Sequence, residues 1–391
     1  MFSFRTTPVG EQLDRALVDG RVGVFCTQNC WDTENRRYLY DLFRQRGNLE
    51  KVFTPRDTEL TPLTNHIEFT REEIEPLNAI VVEIQDVGSR YFNYTKDVFA
   101  LMEMLKEMEN PPSMYIIDHV NPAGRVVEGT MPGIADDLAV DKSGDKPNAL
   151  AADKAGDKPD GQVGGKGALP PGQELHVPKV AHRHGLTLGE LANLYLAEIG
   201  GKFPLHVISA MATDTSRQFM PWTIAPASDI PGFFTCDLYS GGGLWNNTNL
   251  SSGIGTARPY EYIGAPFLNS EIVSRLPEAD GCVLRPCSFT PACGTYAGQK
   301  CYGFQILLEP ELSYHSFQHT IHLMRSLAEV CPDFRLGEGF RQKLSDDFLL
   351  NSILGRHTWE ETREHIKVEE QKWIRKAKKF LLYEDQPYRI K

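Results

Sequence analysis

The stretch AIVVEIQDVGSRYFNYT, from Ala79 to Thr95, indicates the fold of the chain. Its first part, Ala79–Ile84, is a short run rich in β-branched residues, which is typical of a strand buried on both faces. Polar residues and a glycine follow, and Thr95–Met108 then has the apolar spacing of an amphipathic helix. A strand that leads through a turn into a helix is the unit from which parallel sheets are built.

The same alternation continues on both sides of this stretch. Helical spacing predicts helices at Thr33–Arg46 and His184–Gly200, and Thr187 with Glu190 fits a capping box at the start of the second. Further short apolar runs predict strands at Arg21–Thr27, Leu49–Thr54, Ser113–Asp118 and Leu205–Ser209. The first part of the chain is therefore predicted to form an α/β domain with a parallel sheet covered on both faces.

The pattern becomes less regular after about residue 210. Turn-rich segments and scattered short strands follow, with helices predicted at Phe317–Glu329 and Trp359–Lys379. We predict two domains: an α/β domain over residues 1–209 and a smaller α+β domain over residues 210–391.

Residues 136–171 interrupt the first domain. They hold almost no large apolar residues and include two near-copies, DKSGDKP from Asp141 and DKAGDKP from Asp153. Such a composition buries too little surface to offset the entropy of ordering. We predict a disordered surface insert.

Composition excludes several classes of function. The formal net charge is -11, with 41 Lys+Arg against 52 Asp+Glu, so a nucleic-acid partner is disfavoured. No run of about 18 apolar residues predicts a membrane span. The first residues lack the apolar core of a secretory leader, which favours a cytoplasmic location. The eight cysteines form no CxxC pair, so buried free thiols are expected, with a metal site between Cys282 and Cys301 as the alternative.

Polar residues follow the third and fourth predicted strands, where ligands of parallel sheets bind. They are Gln85, Asp86, Arg90 and Tyr91 after one strand, and Asp118, His119 and Asn121 after the next. An arginine can hold a substrate carboxylate, and tyrosines such as Tyr91 and Tyr94 can stack on a sugar ring. The alternative is a turn in which Asp86 caps the following helix and Arg90 pairs with it.

Acidic residues near these strand ends suggest hydrolysis of a glycosidic bond. Asp118 ends the fourth strand and Glu128 follows in a Gly-flanked segment. Glycoside hydrolysis uses two carboxyl groups, one as acid and one as base or nucleophile. The alternative is that Asp118 only fixes its own turn. His119 and His184 could act as general bases, but no paired nucleophile is evident.

A glycine-rich segment, SGGGLWNNTNLSSGIGTARPYEYIGAPF from Ser240 to Phe267, does not match a P-loop. No Gly-Lys-Ser/Thr follows its glycines, and no G-x-G-x-x-G follows the first strand, so no nucleotide cofactor is expected. Asn246, Asn249 and Thr256 suit a saccharide, and a hydrogen-bonded surface loop is the alternative.

Four of these segments, taken in order, resemble the DUF1343 family of NamZ-like exo-β-N-acetylmuramidases. They are IQDVGSRYFNYT, IDHVNPAGRVVEG, HGLTLGELA and NNTNLSSGIGTARPYEYIGAPF. The resemblance runs from about Arg21 to Tyr383, outside residues 136–171. It implies a Rossmann-like first domain, a smaller second domain and a cleft between them. The implied partner is a small saccharide or muropeptide that ends in a non-reducing N-acetylmuramic acid.

The resemblance also implies roles for individual residues. Glu128 is the expected catalytic carboxylate, and Asp86 and Asp118 are expected to orient the substrate or assist. Arg90 is expected to meet the lactyl carboxylate of a muramic acid. The other expected substrate-binding residues are Gln85, Tyr91, Tyr94, Asn121, His184, Asn246 and Asn249.

The chain departs from the family pattern at several positions. The family carries a Pro-Glu-His-Gly loop after its second strand, and Arg56 stands here in place of that glutamate. His119 replaces an arginine after Asp118, and Ile254 replaces another in the glycine-rich segment. A glycoside hydrolase is the leading hypothesis. The alternatives are a non-catalytic saccharide-binding relative and a hydrolase that uses Asp57 or Glu59 as its acid.

Overall fold

The computed structural model describes residues 13, 20–32, 36–54, 67, 69–133, 179–210, 224–309 and 313–383. Contacts divide the chain into two units. Unit 1 comprises residues 1–127, 169–240 and 371–391, and unit 2 comprises residues 128–168 and 241–370. The predicted domain boundary between residues 209 and 210 stays a prediction. The predicted insert and the positions of Arg56, Asp57 and Glu59 lie outside the described residues.

Unit 1 contains a five-stranded sheet in the order β4-β1-β5-β6-β7, and all four pairings are parallel. Its strands are β1 (Val22–Cys26), β4 (Leu49–Phe53), β5 (Ala79–Glu83), β6 (Ser113–Asp118) and β7 (Leu205–Ser209). A separate antiparallel pair joins β2 (Trp31–Asp32) to β3 (Arg37–Tyr38). The parallel α/β fold predicted from the sequence is confirmed.

Unit 1 also contains the helices α1 (Leu39–Arg46), α2 (Arg71–Ile74), α3 (Asn93–Lys106) and α4 (Leu188–Ile199). Of these, α1 packs against β1 and β4, and α4 packs against β6. On one face, alternate residues of the strands pack with Leu39 and Phe43 of α1 in a single apolar cluster. We call this the α1 face of the sheet, and its strand residues include Val22, Val24, Cys26, Ala79, Val81, Tyr115 and Ile117. Each fully buried valine or isoleucine on this face contributes roughly 1.5–3 kcal/mol.

Two predicted helix starts have different outcomes. The Thr187–Glu190 capping box is confirmed, because Glu190 Oε2 accepts the Thr187 N–H at 2.9 Å and Thr187 Oγ1 accepts the Glu190 N–H at 3.3 Å. The predicted start of α1 at Thr33 is wrong. Tyr38 is still extended where it pairs with Trp31, and its N–H donates to Asp41 Oδ2 at 3.0 Å, so the helix begins only at Leu39.

Unit 2 contains a three-stranded antiparallel sheet in the order β8-β10-β9. Its strands are β8 (Tyr262–Ala265), β9 (Cys282–Phe289) and β10 (Cys301–Leu308). Its helices are α6 (Ser270–Ser274), α7 (Ser316–Val330), α8 (Phe340–Leu344) and α9 (Asp347–Ile353). Two more helices, α5 (Phe233–Gly242) and α10 (Trp359–Ala377), have residues in both units. The predicted smaller region with an irregular α+β pattern is confirmed.

Close packing of α4 on the sheet depends on Gly189. A Cβ there would lie 2.5 Å from Val207 Cγ1 and 2.7 Å from Asp118 Oδ2. Overpacking a buried contact costs about 1–3 kcal/mol, so we expect Gly189→Ala to lower the free energy of unfolding in urea by that amount. Gly232→Ala is the matched control, because no heavy atom lies within 4 Å of a Cβ at that position. Equal stability of the two variants would contradict this packing.

Candidate functional site

The strands of unit 1 bring polar residues together where β1, β5 and β6 end, and we call this the carboxyl edge. Val82 pairs with Ile116, so the residues that follow β5 and β6 emerge beside each other. Gln85 and Asp86 follow β5, and Asp118 and Asn121 lie at the end of β6. All four of these side chains are buried.

Asp86 organises the turn after β5. Its Oδ1 accepts the Gly88 N–H at 2.7 Å, and its Oδ2 accepts the Thr95 hydroxyl at 2.5 Å. His184 Nε2 lies 3.2 Å from Asp86 Oδ1, while His184 Nδ1 accepts the Leu186 N–H at 3.2 Å. Because Nδ1 accepts, a neutral His184 carries its proton on Nε2, which lies near Asp86 Oδ1 without forming a hydrogen bond to it. The structure thus brings two predicted site residues into contact.

Arg90 lies in a short antiparallel contact between the turn after β5 and the segment before α4. The Arg90 N–H donates to the His182 carbonyl at 3.1 Å. The neighbouring Ser89 forms an isolated antiparallel β-bridge with Arg183. The Arg90 guanidinium places Nη2 2.7 Å from His182 Nε2 and Nη1 3.4 Å from the Val180 carbonyl. The predicted contact of Arg90 with a substrate carboxylate stays a prediction.

The two predicted stacking tyrosines differ in exposure. Tyr91 is buried edge-on against His182 and Tyr239, with ring centroids 5.6 and 6.4 Å away, and burial raises the pKa of its hydroxyl. Tyr94 is half-buried in the first turn of α3 and packs edge-on against Phe92 at 5.2 Å. Tyr94 is therefore the more accessible of the two for a sugar ring.

Asp118 holds the start of α4. The carboxylate accepts the Gly189 N–H at 2.8 Å, the Thr187 hydroxyl at 2.7 Å and the Tyr383 hydroxyl at 2.8 Å. Burial nonetheless raises the pKa of the Asp118 carboxyl to about 6, because removal of water outweighs these three donors. The observed contacts fix a helix start, and a direct role on substrate stays a prediction.

Gln85 and Asn121 brace the loops at the carboxyl edge. Gln85 Nε2 donates to the carbonyls of Val120 at 3.0 Å and Asp86 at 2.8 Å. Asn121 Nδ2 donates to the Leu186 carbonyl at 2.8 Å, and its Oδ1 accepts the Ala123 N–H at 2.9 Å. The loops after β5 and β6 are therefore rigidly connected.

Glu128 belongs to unit 2, where it is fully buried at the start of α7. Its Oε2 accepts the Ser316 hydroxyl at 3.0 Å and the Phe317 N–H at 2.9 Å. His315 Nδ1 lies 3.5 Å from the same oxygen, and His315 Nε2 lies 2.8 Å from Glu370 Oε1. A carboxylate at a helix N-terminus is stabilised by the free N–H groups there.

Asn246 and Asn249 also lie in unit 2, both half-buried. Asn246 Oδ1 accepts the Ser252 hydroxyl at 2.7 Å. Asn249 Nδ2 donates to the Asp333 carbonyl at 2.7 Å, and its Oδ1 accepts the Arg335 N–H at 2.8 Å. These amides brace the glycine-rich segment, and their contacts with a saccharide stay predictions.

Glu83 is a candidate site residue that the sequence analysis missed. Its Oε1 lies 3.3 Å from Nε2 of His119, the residue directly after β6. A glutamate that ends a strand gives no local sign of burial. The alternation of side chains along β5 and β6, combined with their register, is the signal that could have found this pair.

Comparisons with known proteins identify the family. The model described as exo-β-N-acetylmuramidase NamZ, C-terminal, matches residues 237–383, and the corresponding N-terminal model matches residues 63–136, together more than half of the chain. The peptidoglycan β-N-acetylmuramidase NamZ of Bacillus subtilis strain 168 is 25% identical over 335 residues, which are 80% of this chain and 69% of that protein. The chain belongs to the NamZ-like DUF1343 family.

Solved structures of DUF1343 proteins share the fold of this NamZ-like chain. Two crystal structures from Bacteroides fragilis superpose with TM-scores of 0.72 and 0.67, at 18% and 19% identity. Each comparison covers 96% of this chain and 97% of the other. At this identity the likeness establishes the architecture alone.

The NamZ-like chain offers no evident metal site in the part that the structure describes. No group of three or more His, Cys, Asp or Glu residues there is arranged to hold a metal ion. None of the eight cysteines, all of which the structure describes, forms a disulfide bond, and six of them are buried. Within the same ranges, no helix combines the length and the apolar character needed to cross a membrane.

The pKa of Asp118 predicts a pH-dependent stability. Its folded value of about 6 exceeds the ordinary value of 3.8, so between these pH values the folded state retains a proton that the unfolded chain has lost. Stability from this group is present below about pH 4 and falls as pH rises through 6, by an amount on the order of 3 kcal/mol. Urea unfolding should show a wild-type advantage over Asp118→Asn that shrinks from pH 4 to pH 7. An advantage that grows with pH would contradict the burial argument.

Proposed function

We propose that this NamZ-like chain is a β-N-acetylmuramidase that removes non-reducing terminal N-acetylmuramic acid from peptidoglycan fragments. The observation that carries the proposal is the occurrence of both NamZ domain models, in order, on one chain. The B. subtilis relative, which is named for this activity on peptidoglycan, supports the substrate class. A glycosidase of this kind needs a proton donor and a second group that acts at the anomeric carbon.

The rigid carboxyl edge supports the proposal, because catalysis depends on groups that are positioned before the substrate arrives. We propose that Asp86, Asp118, Gln85, Asn121 and His184 keep this edge in shape. Asp86 and Asp118 do so through the hydrogen bonds that their carboxylates accept from neighbouring loops. On the same proposal, Arg90 attracts the lactyl carboxylate and Tyr94 contacts the sugar, with Tyr91 behind them.

Catalysis by Glu128 remains part of the proposal and needs a direct test. We expect Glu128→Gln to lower kcat for para-nitrophenyl β-N-acetylmuramic acid by about 10²–10⁴-fold, the usual loss for an acid or base. The amide also removes a buried charge from the N-terminus of α7, which lowers stability by about 1–2 kcal/mol. The matched control is Glu364→Gln, since Glu364 is exposed in α10.

Measurement of kcat and of urea unfolding on the same preparations separates the two effects. If Glu128→Gln keeps the wild-type kcat but is less stable, Glu128 caps α7 and takes no part in catalysis. Absence of nitrophenol release by the wild-type protein would contradict the hydrolase proposal itself.

A second candidate function is a non-catalytic saccharide-binding protein of the same family. Two observations favour it: Arg56 stands where the family has a glutamate, and the three predicted catalytic carboxylates are buried among protein donors. A thermal shift with N-acetylmuramic acid in the absence of any hydrolysis would support this second function.

A further inference from the structure

The pairing of Glu83 with His119 follows from the geometry of parallel strands. Side chains along a strand alternate between the two faces of a sheet. Val81 and Ile117 both lie on the α1 face, so Glu83 and His119, each two residues further along, emerge on that same face at the carboxyl edge. The side chain of Asp118 points to the opposite face of the sheet, towards α4. The α1 side of the edge is therefore distinct from the Asp86–Asp118 side.

The exposure of this pair suits proton transfer. The side chain of Glu83 is 1% exposed, whereas that of His119 is 15% exposed, so the imidazole lies between the carboxylate and the surroundings. Glu83 Oε1 is 3.3 Å from His119 Nε2, and no hydrogen bond joins His119 Nδ1 to any residue that the structure describes. A carboxylate that holds one ring nitrogen fixes the ring orientation and leaves the other nitrogen for chemistry.

An aromatic cluster lies on the same side of the carboxyl edge. Trp31, Tyr38 and Tyr40 are half-buried, with ring centroids 4.9 Å apart for Trp31–Tyr38 and 5.1 Å apart for Tyr38–Tyr40. Tyr38 and Tyr40 pack against the α1-face cluster.

Cys26 links this cluster to the Glu83–His119 pair. Cys26 belongs to the α1-face cluster against which Tyr38 and Tyr40 pack. Cys26, the last residue of β1, pairs directly with Glu83. Aromatic rings beside an acid–base pair are what a saccharide site requires.

We propose that His119 donates the proton to the leaving oxygen during glycoside hydrolysis and that Glu83 is its positioning residue. The aromatic cluster of Trp31, Tyr38 and Tyr40 then contacts the leaving sugar, and the contacts proposed for Arg90 and Tyr94 stay with the N-acetylmuramic acid. This inference rests on the proposed function and names the group that supplies the acid in a chain with Arg56 in place of the family's glutamate.

The reaction balances with water as the only co-reactant. The bond between C1 of N-acetylmuramic acid and the glycosidic oxygen breaks, and the oxygen keeps the electron pair and takes the proton from His119. The oxygen of a water molecule forms the new bond to C1. That water releases one proton to solvent, and solvent returns one proton to His119.

The other buried acid–base pairs suit this role less well. Asp86 and His184 are 2% and 1% exposed, so a substrate cannot reach either group without rearrangement. His319 accepts at Nδ1 from the Tyr314 hydroxyl at 2.9 Å, and its Nε2 lies 3.0 Å from the Pro277 carbonyl, so both ring nitrogens are used. Of His119, His184 and His319, only His119 has a carboxylate close to one ring nitrogen and a partly exposed ring.

A comparison of leaving groups tests the proposal. Nitrophenolate leaves with little help from an acid, whereas a sugar hydroxyl needs a proton in the transition state. We expect His119→Gln to lower kcat for the disaccharide N-acetylmuramyl-β-1,4-N-acetylglucosamine by about 10²–10⁴-fold, with a much smaller loss for para-nitrophenyl β-N-acetylmuramic acid. Glu83→Gln should change the pH profile for the disaccharide, and Glu83→Asp should restore part of the rate.

Two further variants separate chemistry from folding and binding. His206→Gln, at an exposed histidine of β7 in the same unit, should leave both substrates unaffected. Trp31→Ala should raise KM more than it lowers kcat, because a stacking residue binds the ground state as well as the transition state.

The contradicting outcomes are distinct. Equal losses on both substrates, or no loss, with an active wild-type protein would overturn the role of His119 and leave the proposed function intact. A wild-type protein that hydrolyses neither substrate would overturn both.

Discussion

The parallel pairing of β5 with β6, in which Val82 lies opposite Ile116, determines what the carboxyl edge can do. This pairing places the last residues of both strands at one edge of the sheet. The side chains of successive residues there point alternately to the two faces. Asp118 turns towards α4, where it holds the helix start, while Glu83 and His119 turn to the α1 face. A shift of one residue in this register would exchange these faces and separate every contact described at the edge.

Burial of carboxylates is the second physical constraint on this protein. An ionised carboxylate loses much of its hydration when it is buried, so it must accept hydrogen bonds from nearby donors. Asp86, Asp118 and Glu128 meet this requirement with backbone N–H groups and hydroxyls from turns and helix starts. The hydrogen bonds that stabilise these buried carboxylates also limit their access to substrate. Glu83 differs, because one of its neighbours is the partly exposed ring of His119.

Much of unit 1 could be predicted from the sequence because its signals are local. Short β-branched runs identified the strands, and the Thr187–Glu190 capping box identified the start of α4. The start of α1 could not be predicted, because the Trp31–Tyr38 pairing depends on a hairpin contact that helical spacing does not reveal. The candidate site could be predicted only in part, for the same reason. Glu128 meets Ser316 and Phe317 across more than 180 positions of the chain. The contact of Glu83 with His119 depends on sheet register, which spacing along one strand does not contain.

General acid catalysis by His119 requires that the anomeric carbon of N-acetylmuramic acid lies beside His119, on the α1 side of the carboxyl edge. A crystal structure of the full chain with N-acetylmuramic acid bound would reveal this geometry. We expect the anomeric hydroxyl of the bound sugar within hydrogen-bonding distance of His119 Nδ1. A sugar bound with its anomeric hydroxyl out of reach of His119 would contradict this role.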